Sequence, residues 1–167
     1  IDLLRQKLII AKKTSSLPKI IVVVHFAGNP VNIKEIYDLT EPLGIKIIED
    51  ASHALGASIF NDNIGSCKYS DVTVFSFHPV KMITTAEGGM ALSNNREVLE
   101  KLSLLRSHGI TRELEKLKNK NEGPWYYEQH NLGFNYRLNE IQAALGISQL
   151  KRLEEFVNKR NDIANKY

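Results

Sequence analysis

Hydrophobic and polar positions follow two rhythms along this chain. The runs IIVVVH (20–25), IKIIED (45–50) and DVTVFSF (71–77) are short, rich in β-branched residues and bounded by turn residues, so each predicts a buried strand. GMALS (89–93) predicts a further short one. Between them the apolar spacing is helical. IDLLRQKLII (1–10) places Leu3, Leu4 and Leu8 for a helix, and a second helix opens at Asn32 with Glu35 three residues on, a capping-box pattern, and stops at Gly44. NREVLEKLSLLRSHG (95–109) puts Val98, Leu99, Leu102 and Leu105 on one face, predicting a packed helix that ends at Gly109. Asn139 to Tyr167 predicts one long helix running to the last residue.

Strands alternating with helices predict an α/β fold with a largely parallel sheet flanked by helices. In such sheets ligands bind beyond the carboxyl ends of the strands. His25, Asp50 and Ser76 all fall at or near such ends, so they are expected on one edge. The segment from Ile110 to Gly133, with GPWYYEQH inside it, is too long and too aromatic for a plain connector and reads as functional or mobile.

Composition narrows the classes without choosing among them. The chain has 167 residues, 43% hydrophobic and 25% charged, enough for one ordinary core. A net charge of +3, with 22 basic residues interleaved among 19 acidic ones, gives no concentrated basic stripe for nucleic acid. Cys67 is the single cysteine, which excludes an internal disulfide framework and suits a reducing compartment. No apolar run is long enough for a membrane helix, and a cytoplasmic location is expected. The chain lacks an initiator Met and ends inside a helical pattern, so it reads as an excerpt of something longer.

The candidate chemistry lies around FSFHPVKMITTAEGG (75–89). A lysine is ordinarily a solvated surface group, but Lys81 sits just past a central strand and ahead of paired glycines that permit close backbone approach. A lysine held near a pocket can lose its proton and condense with an aldehyde. Asp50 reads either as the cap of a short turn or, paired with such a lysine, as the carboxylate that keeps a pyridine nitrogen protonated. His53 could touch the same ring or be satisfied by backbone, and Ser76 could bind a phosphate or merely close its strand. No phosphate cradle of backbone N–H groups is evident, since FAGNP carries a single Gly. The rival chemistry is a metal-dependent hydrolase site built from His25, Asp50, His53 and His78; no paired-Cys or HExxH pattern accompanies it.

The motifs EDASHALGA (49–57), SFHPVK (76–81), EGGMALS (87–93), LRSHGI (105–110) and NYRLNEIQAALGISQL (135–150) together resemble the DegT/DnrJ/EryC-type sugar-nucleotide aminotransferases, a branch of the fold type I pyridoxal 5'-phosphate enzymes. Within that family, GPWYYEQ and GSCKYSDVTVFSFHPVK most resemble the branch of the pseudaminic acid pathway, which aminates C4 of a UDP-linked 4-keto-6-deoxy-N-acetyl hexose with glutamate as donor. The resemblance implies that Lys81 holds the cofactor and shuttles the proton, Asp50 pairs with the pyridine nitrogen, and His53 stands where many relatives have Gln at the ring hydroxyl. It further implies that Ser76 binds the phosphate and that Asn135 reaches it from the other subunit of a homodimer. His78, Trp125, Tyr126 and Tyr127 are candidate contacts to the nucleotide sugar, the rings because flat aromatics cover sugar faces and uracil. By the same resemblance, residues 1–138 are part of the cofactor-binding large domain without its N-terminal phosphate cradle, and 139–167 lead towards a small C-terminal domain. Activity is then expected of the parent protein rather than of these residues alone. A lysine at position 81, where sugar dehydratases of the same fold carry His, favours amino transfer; transfer to another 3- or 4-keto sugar nucleotide and a non-catalytic cofactor-binding regulator of this lineage stay open.

Overall fold

The three β-branched runs fold as adjacent parallel strands. The computed structural model describes residues 1–167, and its elements run α1 (Asp2–Lys13), β1 (Ile20–Val24), α2 (Ile33–Thr40), β2 (Lys46–Asp50), β3 (Ser58–Ile59), β4 (Asp62–Asn63), β5 (Val72–Ser76), β6 (Gly89–Leu92), α3 (Arg96–Arg106), β7 (Ile110–Thr111), β8 (Glu128–Gln129), α4 (Glu140–Leu150) and α5 (Leu153–Ala164). The main sheet has the order β1-β2-β5-β6. Its first three strands are parallel and β6 runs antiparallel to β5, so the expected α/β fold holds, with one reversed strand at the edge. Residues 1–94 with 140–167 form one compact unit and residues 95–139 a second.

In the first unit, register decides which side chains face which way. Val23, Glu49 and Thr73 are cross-strand neighbours, as are Val24, Asp50 and Val74 one residue on. Because side chains alternate along a strand, these two rows belong to opposite faces. The first face is the dry one. Val23 and Ile47 pack there with Ile33 and Ile36 of α2, and Phe75 packs with Ala51, Ala54, Ile64, Phe77 and Ile83. On the other face Val22 and Val24 are 60% and 47% exposed, so β1 is buried on one side only and not on both as its continuous aliphatic run predicts.

The ends of α2 are as expected. Asn32 Oδ1 accepts the Glu35 N–H at 3.3 Å and its amide donates to the Glu35 carboxylate at 3.2 Å, so cap and third residue are paired side chain to side chain. After a short 3₁₀ turn, Gly44 takes φ 68°, the left-handed stop.

The long C-terminal helix is instead two. The Lys151 N–H still reaches the Ile147 carbonyl at 3.3 Å, but the Arg152 N–H bonds Gln149 at 3.0 Å, and Arg152 leaves helical angles at φ −107°, ψ 9°. The break turns α5 so that Leu153 and Phe156 pack on the Phe75 cluster. Burying that face outweighs continuing the helix, and neither Gly nor Pro marks the bend.

The β3–β4 hairpin, which the sequence reading does not anticipate, turns on two residues with positive φ, Phe60 at 51° and Asn61 at 63°.

In the second unit Asn95 caps α3 by accepting the N–H groups of Glu97 and Val98. No residue of α3 is buried, and Leu99 is 40% exposed, so it is less packed than its apolar stripe predicts. The 110–133 segment is organised rather than plain loop: β7 pairs with β8, and Leu117 is buried. No helix of the chain is long and apolar enough to cross a membrane.

Candidate active site

Asp50 is the last residue of β2, half-buried on the open face of the sheet. Its Oδ1 accepts the Ser52 N–H at 3.1 Å, closing a tight turn at the strand end in place of the helix cap that its sequence context also allows. Hydrogen bonding from Ser52 comes first among the influences on its carboxyl; burial opposes it, and attraction to His53 and Lys81 adds to it. The outcome is a pKa below the usual carboxylate value. Asp50 therefore stays ionised at neutral pH, with an amine and an imidazole within electrostatic reach.

Ser76 ends β5, the strand beside β2, two residues beyond Val74, which is Asp50's register partner. By strand parity its side chain lies on the same face as Asp50. The chain then leaves the sheet in a turn, with the Lys81 N–H donating to the His78 carbonyl at 2.9 Å. The carbonyl of Phe77, the anchor of that excursion, accepts the Thr85 N–H at 3.0 Å and the Thr84 hydroxyl at 3.1 Å. Lys81 is thus a half-buried amine on a pinned loop. Arg160 of α5 and Gln142 of α4 reach the same loop, at the Lys81 and Glu87 carbonyls.

His53 is exposed and tied through Nδ1, which accepts the Ala27 N–H at 3.3 Å. His78 is half-exposed; its Nδ1 accepts the Val80 N–H at 3.3 Å and its Nε2 lies 3.9 Å from Glu87. The site that this unit assembles is therefore one carboxylate, one amine, one hydroxyl and two imidazoles around the carboxyl ends of β2 and β5. That donor set matches what a phosphorylated pyridine aldehyde needs for its ring nitrogen, aldehyde, phosphate and ring hydroxyl.

His25 departs from the expectation. It follows β1, but it is fully buried and bound to Glu49, so it does not join Asp50 and Ser76 at the open edge. Turning its ring into the core satisfies both nitrogens, which exposure at the edge does not. Glu49, Ser70 and Thr73, which complete that cluster, are absent from the sequence-based candidates; Glu49's place beside Thr73 follows from strand register across 24 residues.

Asn135, Trp125, Tyr126 and Tyr127 belong to the second unit. Asn135 is exposed between Phe134 and Tyr136, whose rings stack at 4.8 Å, and it bridges to Ser107. Trp125 and Tyr127 are 73% and 49% exposed, and Arg112 lies over the Tyr127 ring. Tyr126 donates its hydroxyl to Glu128. Glu128 is the knot of this segment. Hydrogen bonds from His130, from the Lys118 and Asn119 N–H groups and from Tyr126 outweigh burial and hold its pKa down at about 2.

Comparison with known proteins places these residues in a context. The chain is 48% identical over 147 residues to UDP-4-amino-4,6-dideoxy-N-acetyl-beta-L-altrosamine transaminase of Campylobacter jejuni, an alignment that covers 88% of this chain and 36% of that protein. Among solved structures it is similar to Helicobacter pylori PseC, an aminotransferase involved in the biosynthesis of pseudoaminic acid, with a TM-score of 0.69 and 41% identity over 80% of this chain and 33% of that one. It is also similar to the PLP form of the putative sugar aminotransferase Spr1654 from Streptococcus pneumoniae, with a TM-score of 0.74 and 27% identity over 99% of this chain and 43% of that one. The chain thus spans a little over a third of the length of the curated relative. All of it, residues 1–167, matches the DegT/DnrJ/EryC1/StrS aminotransferase family, and the chain belongs to that family.

Proposed function

We propose that the protein carrying this chain is a pyridoxal phosphate-dependent aminotransferase that moves an amino group from glutamate to C4 of a UDP-linked 4-keto-6-deoxy-N-acetyl hexose, for a pseudaminic acid-type surface glycan. The observation that carries the reading is the likeness to the Campylobacter transaminase, over a stretch long enough that it must include both Asp50 and Lys81. The protein is taken to work in the cytoplasm as a homodimer that shares its active sites.

The chain's own residues suit the cofactor. Asp50, ionised on the open face, would hold the proton on the pyridine nitrogen. The Ser76 hydroxyl would take a phosphate oxygen, and Asn135 would reach that phosphate from the neighbouring subunit. The Lys81 amine would bind the aldehyde and, once displaced by the amino donor, move the proton between substrate carbon and cofactor, as base and then as acid. His53 would donate to the ring hydroxyl. When bound, the cofactor supplies an electron sink for the carbanion that forms as that proton leaves. Trp125 and Tyr127 would cover the uracil or sugar faces, and His78, at the mouth of the Lys81 turn, would meet the substrate.

The test is amino transfer by the full-length protein. Glutamate and the UDP-linked 4-keto sugar should give 2-oxoglutarate and the 4-amino sugar, and Lys81→Ala should abolish both. Normal turnover by Lys81→Ala, or cofactor binding with no amine formed from any keto sugar nucleotide, contradicts the reading.

A further inference from the structure

Glu49, next to Asp50 on β2, is a buried acid on the opposite face of the sheet, away from the proposed chemistry. His25 is fully buried, and its two ring nitrogens have different partners. The Val31 N–H donates to Nδ1 at 3.1 Å, while Nε2 lies 2.8 Å from Glu49 Oε2. A ring nitrogen that accepts an amide proton carries none of its own, so the His25 proton sits on Nε2 and is donated to Glu49. The other Glu49 oxygen accepts the Ser70 and Thr73 hydroxyls, the latter at 2.9 Å. No buried side-chain nitrogen or oxygen of the chain is left without a partner. Burying such a cluster is costly compared with packing aliphatic residues of the same volume, so its stability alone does not account for it.

Its position does. His25 starts the turn Phe26–Gly28, in which the Gly28 N–H returns to the His25 carbonyl at 3.1 Å. Ala27 sits there at φ 55°, a left-handed conformation that a residue with a Cβ adopts only when its surroundings impose it. The His25 ring grips the far end of the same loop through Val31. This clamped turn presents the Ala27 N–H to Nδ1 of His53, at 3.3 Å, while Gly28 lies so close to the His53 carbonyl that a Cβ there would stand 2.8 Å from its oxygen. The same donor rule then applies a second time: His53 accepts at Nδ1, so its proton is on Nε2.

We propose that the buried Glu49–His25 pair is a positioning device that, through the 25–31 turn, fixes His53 with its proton on Nε2, ready to donate to an oxygen anion on the cofactor ring. Glu49 and His25 act through His53 and are positioning residues. The inference rests on the proposed function for the identity of the ligand, but not for the relay itself.

The experiment is side-chain ¹⁵N NMR of histidine in the full-length, cofactor-free protein, with the His53 signals assigned by their loss in His53→Gln. The native protein should show His53 as the Nε2–H form alone. Glu49→Gln should keep that form, because a glutamine oxygen still takes the His25 proton while the Ser70 and Thr73 hydroxyls turn to accept its amide. His25→Phe fills the same volume but cuts both ties, and should convert His53 to a mixture of its two tautomers. If that variant fails to fold with Glu49 left unpartnered, the double variant His25→Phe/Glu49→Gln removes the stranded charge and should give the same mixture. A His53 that keeps the pure Nε2–H form in whichever of the two His25→Phe variants folds overturns the relay. Failure of the cofactor to attach to Lys81 in the native protein would instead overturn the proposed function and the ligand end of the relay.

Discussion

Glu49 and Asp50 are consecutive carboxylates on one strand that serve opposite faces of the sheet. Glu49 is buried against His25, Ser70 and Thr73, and Asp50 is half-buried on the open face within electrostatic reach of Lys81. Burial by itself would raise the Glu49 pKa, yet the hydrogen bonds from His25, Ser70 and Thr73 outweigh it and the carboxyl titrates below its usual value.

The two acids should therefore fail differently. Glu49→Ala leaves His25 and two hydroxyls without their acceptor and should lower stability by about 3–5 kcal/mol, the range for breaking a buried pair. Asp50→Asn keeps an oxygen for the Ser52 N–H, so unfolding should shift by no more than about 1 kcal/mol, while turnover falls about a hundredfold or more because the ring proton loses its anion. Denaturant unfolding and steady-state rates on the two variants check the pair.

Gly28 takes φ 82° and faces the His53 carbonyl at a distance that no Cβ tolerates. Gly28→Ala should cost about 1–3 kcal/mol in thermal unfolding and displace the 50–53 turn, releasing cofactor faster. Unchanged cofactor retention on gel filtration would mean that the turn does not shape the site.

Glu128 sets a pH dependence for the aromatic segment. Its pKa in the folded chain is about 2 against 4.5 for an unperturbed glutamate. The unfolded segment thus takes up a proton that the folded one does not, and the order that Glu128 supplies is complete above about pH 4.5 and lost as pH falls from there towards 2. Trp125 fluorescence should report acid loosening of this segment in that window, and Glu128→Gln should show the loosened signal at neutral pH.

Much of the frame was legible because local pattern and tertiary demand agree. The strand runs at 20–24, 46–50 and 72–76, the Asn32 cap and the Gly44 stop each have a short-range cause. The placing of Asp50 and Lys81 at neighbouring strand ends was legible too, since Asp50 closes β2 and Lys81 lies just past β5, and the two are within electrostatic reach of each other. What escaped was set at long range. Glu49 meets His25 only through strand register, and the bend at Arg152 exists because Leu153 and Phe156 gain a core to pack on. The Phe60–Asn61 turn escaped because Phe is a poor left-handed residue and only Asn61 hints at it.

Trp125 and Tyr127 expose their rings while Tyr126 is anchored to Glu128, so the first two are the pair to remove. Trp125→Ala/Tyr127→Ala should raise KM for the UDP sugar about tenfold or more, at roughly 1 kcal/mol per ring, and leave the half-reaction with glutamate unchanged. An unaltered KM would assign the rings to structure alone.

The whole proposed chemistry depends on the amine of Lys81 carrying the cofactor. Borohydride reduction of the full-length protein, followed by proteolysis and mass spectrometry, should find one pyridoxyl phosphate adduct on Lys81, in the peptide containing FSFHPVK. An adduct on another lysine, or none despite bound cofactor, would contradict it.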